Sequence, residues 1–552
     1  MAPPSDSTDS TDSTDSTDST DSTDSTDSTP DVRAVPNDAF HVYDTTLRDG
    51  SQREGLVLSA NDKLAIARHL DDLGVGFIEG GWPGANPKDA EFFRRARSEL
   101  VLRTAQLAAF GSTRRPSGDV GVDLAHLRES GAGIATMVAK SDVRHVERAL
   151  RTTREENLAM VGDSVAHLVG EGMRVFLDAE HFFDGYAADP AYAVEVLRVA
   201  AEAGASVLVL CDTNGGMLPT QLQDVVGAVL ETGLRLGIHA HNDTACAVAN
   251  SLAAIEVGAT HVQGTANGYG ERCGNADLFS VVAALEGKLG RQVLPTGRLA
   301  ELGRVAHAVA EVANITPDPH QSWVGSSAFA HKAGLHVSAV KADPDLYQHI
   351  DPAAVGNDMR LLVSELAGRA TIELKGREMG LSPDAETIGR VIERVKDLES
   401  VGWSFEAAEA SFELLLREEM GQRASFFDLE SWRVIVERRR NGDVVSEATV
   451  KLHAEGARIV ATGEGNGPVN ALDNALRQAL IELYPALAVM ELTDYKVRIV
   501  SGAHGTDAVT RVLVETTDGV TEWSTVGVHE NVIEASWQAL EDAYTSGLLR
   551  RS

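Results

Sequence analysis

The chain has 552 residues, of which 43% are hydrophobic, enough to bury a large core and to form more than one domain. Its formal net charge of −33, from 82 acidic against 49 basic side chains, argues against nucleic acid or an anionic membrane as the main partner. Cys211, Cys246 and Cys273 lack zinc-ligand spacing, and no stretch reads as a signal core or a transmembrane helix, so a reducing, cytoplasmic location is expected.

Residues 5–29 repeat Ser, Thr and Asp with no basic residue. Such a tract buries no apolar area to offset its ordering entropy, so residues 1–36 read as a disordered tail. From 37 to about 310, short apolar runs alternate with amphipathic stretches. The strand-like runs are Phe40–Tyr43, Gly76–Glu79, Arg103–Ala108, Gly133–Ala139, Arg174–Ala179, Ser206–Cys211, Leu236–Ala240 and His261–Thr265. Ser59-Ala60-Asn61-Asp62 opens one intervening helix in capping-box style, and Gly74 closes it. Asp189-Pro190 opens another, which runs to Gly204. Eight such alternations predict an α/β fold, a (β/α)8 TIM barrel. An open doubly wound sheet is the alternative, disfavoured because no Gly-rich fingerprint follows the first strand.

Residues 311–403 read as a helical linker carrying a special loop, Ala328 to His336. Residues 404–552 read as a separate α+β module. It holds a weak internal repeat, Val450–Leu480 and Arg511–Tyr544, each running strand, Gly-containing turn, helix. With no nucleophile or metal cluster of its own, it suits regulation or dimerisation.

Chemistry-bearing residues gather where barrel strands end. Arg48 and Asp49 follow the first strand, giving a fixed cation beside a hard oxygen ligand. His239 and His241, two apart on the seventh strand, project from one face. Two imidazoles and one carboxylate make a three-point site for a divalent ion with open positions for substrate. Asn275, just past the eighth strand, is a further candidate ligand. Each signal alone is weak, since Arg-Asp pairs cap turns and His-x-His pairs are often structural; barrel closure is what joins them.

Four motifs in order resemble the 2-isopropylmalate, homocitrate and citramalate synthase family: Asp-Thr-Thr-Leu-Arg-Asp-Gly at 44–50, His-Ala-His-Asn-Asp at 239–243, Asn-Gly-Tyr-Gly-Glu-Arg-Cys-Gly-Asn at 267–275 and His-Lys-Ala-Gly-Leu-His at 331–336. The likeness runs from about residue 38 to the end. The runs at 78–87 and 328–338 resemble a bacterial citramalate type within it. The resemblance implies a Claisen-type condensation of acetyl-CoA with a 2-oxo acid, then thioester hydrolysis. It implies Mn2+, Mg2+ or Zn2+ on Asp49, His239, His241 and Asn275, with Arg48 beside the developing charge. His336 matches the family's base, with His331 as competitor; Thr213 and Glu180 match substrate-contacting positions, and Tyr347 is an assisting residue. It further implies a homodimer with isoleucine as feedback effector. Pyruvate is the expected acceptor, although a branched acid such as 2-oxoisovalerate differs by methylenes worth only about 1–3 kcal/mol in a pocket. The competing readings are a metal-barrel lyase or carboxyltransferase, and a metabolite-sensing scaffold on an inactive barrel.

Overall fold

The computed structural model describes residues 38–500 and 508–551; the Ser-Thr-Asp tail expectation lies outside them. Eight parallel strands close into a barrel in chain order: β1 (His41–Asp44), β2 (Phe77–Glu79), β3 (Gln106–Ser112), β4 (Ile134–Lys140), β5 (Arg174–Glu180), β6 (Val207–Asp212), β7 (Leu236–Ala240) and β8 (His261–Gly264). β8 pairs back onto β1, with His41 opposite His261 and Asp44 opposite Gly264. The strands are short and nearly continuous in apolar residues because both faces are covered. Their inward side chains, Tyr43, Phe77, Ala108, Ile134, Phe176 and Val207 among them, fill the interior. The alternate residues, such as Val42, Ile78, Leu177 and Leu210, pack outward against the helices.

The helix Ala60–Leu73 starts where the capping signal places it. Ser59 accepts from the Asp62 N–H, Asp62 returns the bond, and Gly74 ends the helix at φ 98°. The second capped start gives the helix Pro190–Glu202. The third strand departs from expectation, beginning at Gln106 instead of Arg103 and running to Ser112. The backbone N–H groups of Arg103, Thr104 and Ala105 donate to the buried Asp71 carboxylate, at 2.8, 2.9 and 2.7 Å. A side chain on the neighbouring helix thus holds them before pairing with β2 begins.

Beyond the barrel, the stretch expected as a loop is partly ordered. Ala330–His331 pairs with Arg360–Leu361, and Gly334 begins a helix to Ala342. The helices Arg369–Glu378, Ala385–Ser400 and Glu409–Glu419 follow. The C-terminal repeat is real but larger than strand, turn and helix. Each unit is a three-stranded antiparallel sheet with one helix: Asp428–Arg438, Val444–Ala454 and Ala457–Gly465 with Pro468–Leu480, then Glu491–Ile499, Thr510–Thr517 and Glu522–His529 with Val532–Leu549. The Gly-containing turn of the first unit starts later than expected, since Gly463 and Gly465 lie within a strand, where the helix backbone crosses so close that a Cβ would meet it at 2.4–2.5 Å. No helix of the described residues is long and apolar enough to cross a membrane.

Candidate active site

The first strand ends in a turn built by its own side chains. Asp44 accepts from the N–H and hydroxyl of Thr46, and the Thr46 hydroxyl accepts in turn from the Ala266 N–H beyond β8, at 2.7 Å. That lock across the β1–β8 seam fixes the chain leading to Arg48 and Asp49. The Arg48 guanidinium lies 3.8 Å over the Phe110 ring and donates from Nε to Glu79 at 2.5 Å. It stands 3.4 Å from Asp49 and 4.0 Å from Asp178. Glu79 is fully buried and also accepts from the Tyr43 hydroxyl at 2.9 Å. One cation therefore faces three carboxylates. Burial works against the charge on Asp49, but the Arg48 guanidinium, then the His239 hydrogen bond, hold its carboxyl well below the usual range. Burial, with Glu79 nearby, pushes Asp178 up to about 7.

His239 and His241 meet Asp49 as barrel closure requires. Asp49 Oδ2 lies 3.2 Å from His239 Nε2 and 3.7 Å from His241 Nε2, and the two Nε2 atoms are 3.2 Å apart. One donor atom from each residue falls within 4.8 Å of the others, and all three side chains are buried. Asn275 bridges to His241 through the backbone; its Oδ1 is buried without a hydrogen-bond partner while its Nδ2 donates to Tyr269 O. Two imidazole nitrogens, a carboxylate and an unsatisfied amide oxygen fit a divalent cation by number and chemistry.

Asp49, His239 and His241 line a cavity of about 420 Å³ at the carboxyl ends of the strands, together with Arg48, Trp82, Phe110, Lys140, Glu180 and Thr213. Thr213 accepts the His181 N–H at 2.8 Å, which leaves its own hydroxyl proton free for an acceptor. Glu180 forms a close ion pair with Lys140. His336 and Tyr347 stack on each other with centroids 4.3 Å apart, but neither is among the residues lining the cavity. His331 is buried on its short strand. Sequence reasoning missed Lys140, the last residue of β4, and Gln263 inside β8. The first carried the same strand-end signal as its neighbours; the second had only its inward register.

An eight-stranded barrel with this ligand trio at its mouth is of the HMGL-like class, whose family description matches residues 39–309. The homocitrate synthase post-HMGL domain-like family matches 323–402, and the LeuA allosteric (dimerisation) domain matches 406–548. The chain is 66% identical over 520 residues to the (R)-citramalate synthase of Streptomyces coelicolor, covering 93% of this chain and 97% of that one. It is 48% identical to the (R)-citramalate synthase of Synechocystis, again over 93% and 97% of the two chains. Identity to the 2-isopropylmalate synthase of Methanocaldococcus jannaschii is 30%, over 93% of this chain and 96% of that one. The chain belongs to the (R)-citramalate synthase family.

Ligation needs neutral imidazoles, so a proton on either histidine competes with a metal ion. Burial opposes a proton on His239, but the Asp49 hydrogen bond and charge outweigh it and raise the group above its ordinary 6.5. Burial, with His239 alongside, pushes His241 down to about 4. Mn2+ affinity should therefore be flat at high pH and fall by about tenfold per unit below the raised His239 value. Calorimetric titration between roughly pH 6 and 8.5 checks this, with Asp49→Ala expected to abolish binding while the circular dichroism stays unchanged. A pH-independent affinity, or binding that survives Asp49→Ala, would place the ion elsewhere.

Proposed function

We propose that this chain condenses acetyl-CoA with pyruvate in a metal-dependent Claisen-type step and hydrolyses the thioester to (R)-citramalate and CoA. The observation that carries this reading is the Asp49, His239 and His241 cluster beside Arg48, in a chain alignable over nearly its whole length with (R)-citramalate synthases. A divalent ion on Asp49, His239, His241 and Asn275, whether Mn2+, Mg2+ or Zn2+, supplies Lewis acidity toward the keto oxygen and carboxylate of the oxo acid. Arg48, clamped by Glu79 and flat on Phe110, presents a fixed cation to the negative charge that grows on the keto oxygen. The Thr213 hydroxyl offers its proton to the acceptor's carboxylate. Glu180, held by Lys140, faces the cavity where the acetyl group must lie and orients it or relays a proton.

His336 takes the role of base toward the acetyl methyl group, with Tyr347 stacked on it. Because His336 does not line the cavity of its own chain, that role requires its segment to move over the barrel mouth or a second copy to present it. A homodimer is supported by the match to a dimerisation domain and by exposed Ile435, Val436, Val497 and Ile499 on Asp428–Arg438 and Glu491–Ile499, one edge strand of each C-terminal sheet. A cytoplasmic location fits the three free cysteines.

Pyruvate as acceptor is supported by the near full-length likeness to (R)-citramalate synthases, and the rings of Trp82 and Phe110, 5.3 Å apart, line the cavity with Arg48. A higher kcat/KM for pyruvate than for 2-oxoisovalerate, measured by CoA thiol release, is the expected result. In the same assay His336→Ala should bind oxo acid without condensing it. A preference for the branched acid would overturn the acceptor assignment, and undiminished turnover of His336→Ala would move the base elsewhere.

We read residues 404–552 as the feedback-sensing module, with isoleucine as effector. Of its two helix starts, Asn531 already satisfies the N–H groups of Ile533 and Glu534, which removes it as a carboxylate site; the start at Gly467 has no side-chain cap. Isoleucine should inhibit the whole enzyme more strongly than leucine or valine, and leave an active truncation ending near Glu399 unaffected. Equal inhibition of that truncation would move the effector to the barrel, and no inhibition of the intact enzyme would reduce the module to dimerisation.

A further inference from the structure

We infer that Gln263 is a positioning residue that fixes the tautomer of His239, and that Asp178 fixes the orientation of Gln263. The inference rests on the reading that Asp49, His239 and His241 hold a divalent ion.

Gln263 sits on β8 directly across from His239 on β7, fully buried inside the barrel. His239 points Nε2 at Asp49 and His241, so that nitrogen must carry a lone pair if it is to bind a cation. In a neutral imidazole the proton then resides on Nδ1 and needs an acceptor. Gln263 Oε1 is 2.8 Å from His239 Nδ1. A side-chain amide could turn either face to the ring, and the wrong face would offer a donor, force the proton onto Nε2 and block ligation. The other end of the amide decides between them. Gln263 Nε2 lies 2.9 Å from Asp178 Oδ1, and in the ionised form that the Arg48 guanidinium 4.0 Å away favours, that oxygen accepts but does not donate. Asp178 is itself 97% buried and, among the described residues, holds no other hydrogen bond on Oδ1. The ordering therefore runs from Asp178 through Gln263 to His239, and it ends in a lone pair aimed at the ion. His241 has no such partner: its Nδ1 is buried and unpaired, so the burden of fixed geometry falls on His239.

The residue types are specific to this task. Methionine at 263 would fill the space without an acceptor. Glutamate would accept from Nδ1 but set a second anion against Asp178 in a buried site. Asparagine at 178 would then repair the pair, because its amide donates to the new carboxylate.

Mn2+ dissociation constants, read by the free-ion signal in electron paramagnetic resonance, should weaken about 10–100-fold in Gln263→Met, measured at a temperature where circular dichroism shows the apo variant folded. Gln263→Glu should also bind weakly, and Gln263→Glu/Asp178→Asn should recover affinity, a rescue that general loss of packing would not produce. In the Zn2+-loaded protein labelled with 15N-histidine, the protonated Nδ1 signature of His239 should be present in the wild type and lost in Gln263→Met. Binding by Gln263→Met equal to wild type, or a double variant no better than Gln263→Glu, would overturn the relay even if Asp49→Ala shows that the metal site stands. If Gln263→Met fails to fold, the comparison of Gln263→Glu with the double variant decides alone. A wild-type protein that binds no Mn2+ would overturn the metal site and the relay with it.

Discussion

An excess of buried negative charge at the barrel mouth is the constraint on which the rest of the site depends. Asp49, Glu79 and Asp178 are nine-tenths or more buried, and the Arg48 guanidinium is the cation that faces all three. Burying unpaired carboxylates costs several kcal/mol each even after relaxation, so such a cluster is offset by protonation, as burial favours at Asp178, or by added positive charge. Two imidazoles with converging Nε2 atoms do not supply it when neutral. The divalent cation proposed for this site would supply it, and it would account for the 3.2 Å approach of His239 to His241 and for the unpaired Asn275 amide oxygen.

Much of this was legible in the sequence because closure of a parallel barrel is a strong rule. Asp49 and His239 are far apart in the chain, yet β8 must return to β1, so residues at the carboxyl ends of β1, β7 and β8 must meet. His-x-His spacing on a strand could be read for the same reason, since period-two alternation sets both rings on one face. What escaped lies inside strands or in long-range polar contacts. Gln263 looks like one more inward barrel residue until the His239 ring opposite it is known. The late start of β3 depends on Asp71, some 30 residues earlier, and no local propensity reports that capture. The filled cap at Asn531 shows only in the structure, because an N-cap asparagine and a free anion site look alike as sequence.

The two parts beyond the barrel are tied to each other by polar contacts. Within the C-terminal part, Ser411 in the helix Glu409–Glu419 accepts from the Val526 N–H at 3.0 Å and donates to Asp542 at 2.6 Å, fixing that helix to the last sheet and helix. Arg511 donates to the carbonyls of Gly402 and Trp403. Lys332, inside the histidine-bearing segment, pairs with Glu406 at 2.5 Å. Any signal from the C-terminal module toward His336 has to alter contacts of this kind, because coupling between sites is a difference in free energy between two arrangements of the same groups.

The central claim, that this trio holds an ion which in turn holds the acceptor, is tested most directly by electron paramagnetic resonance of the Mn2+-loaded enzyme with pyruvate labelled by 17O in its carboxylate. Direct ligation broadens the Mn2+ lines relative to unlabelled pyruvate, and this account predicts that broadening. Identical line widths with labelled and unlabelled pyruvate, at a concentration that saturates turnover, would contradict it.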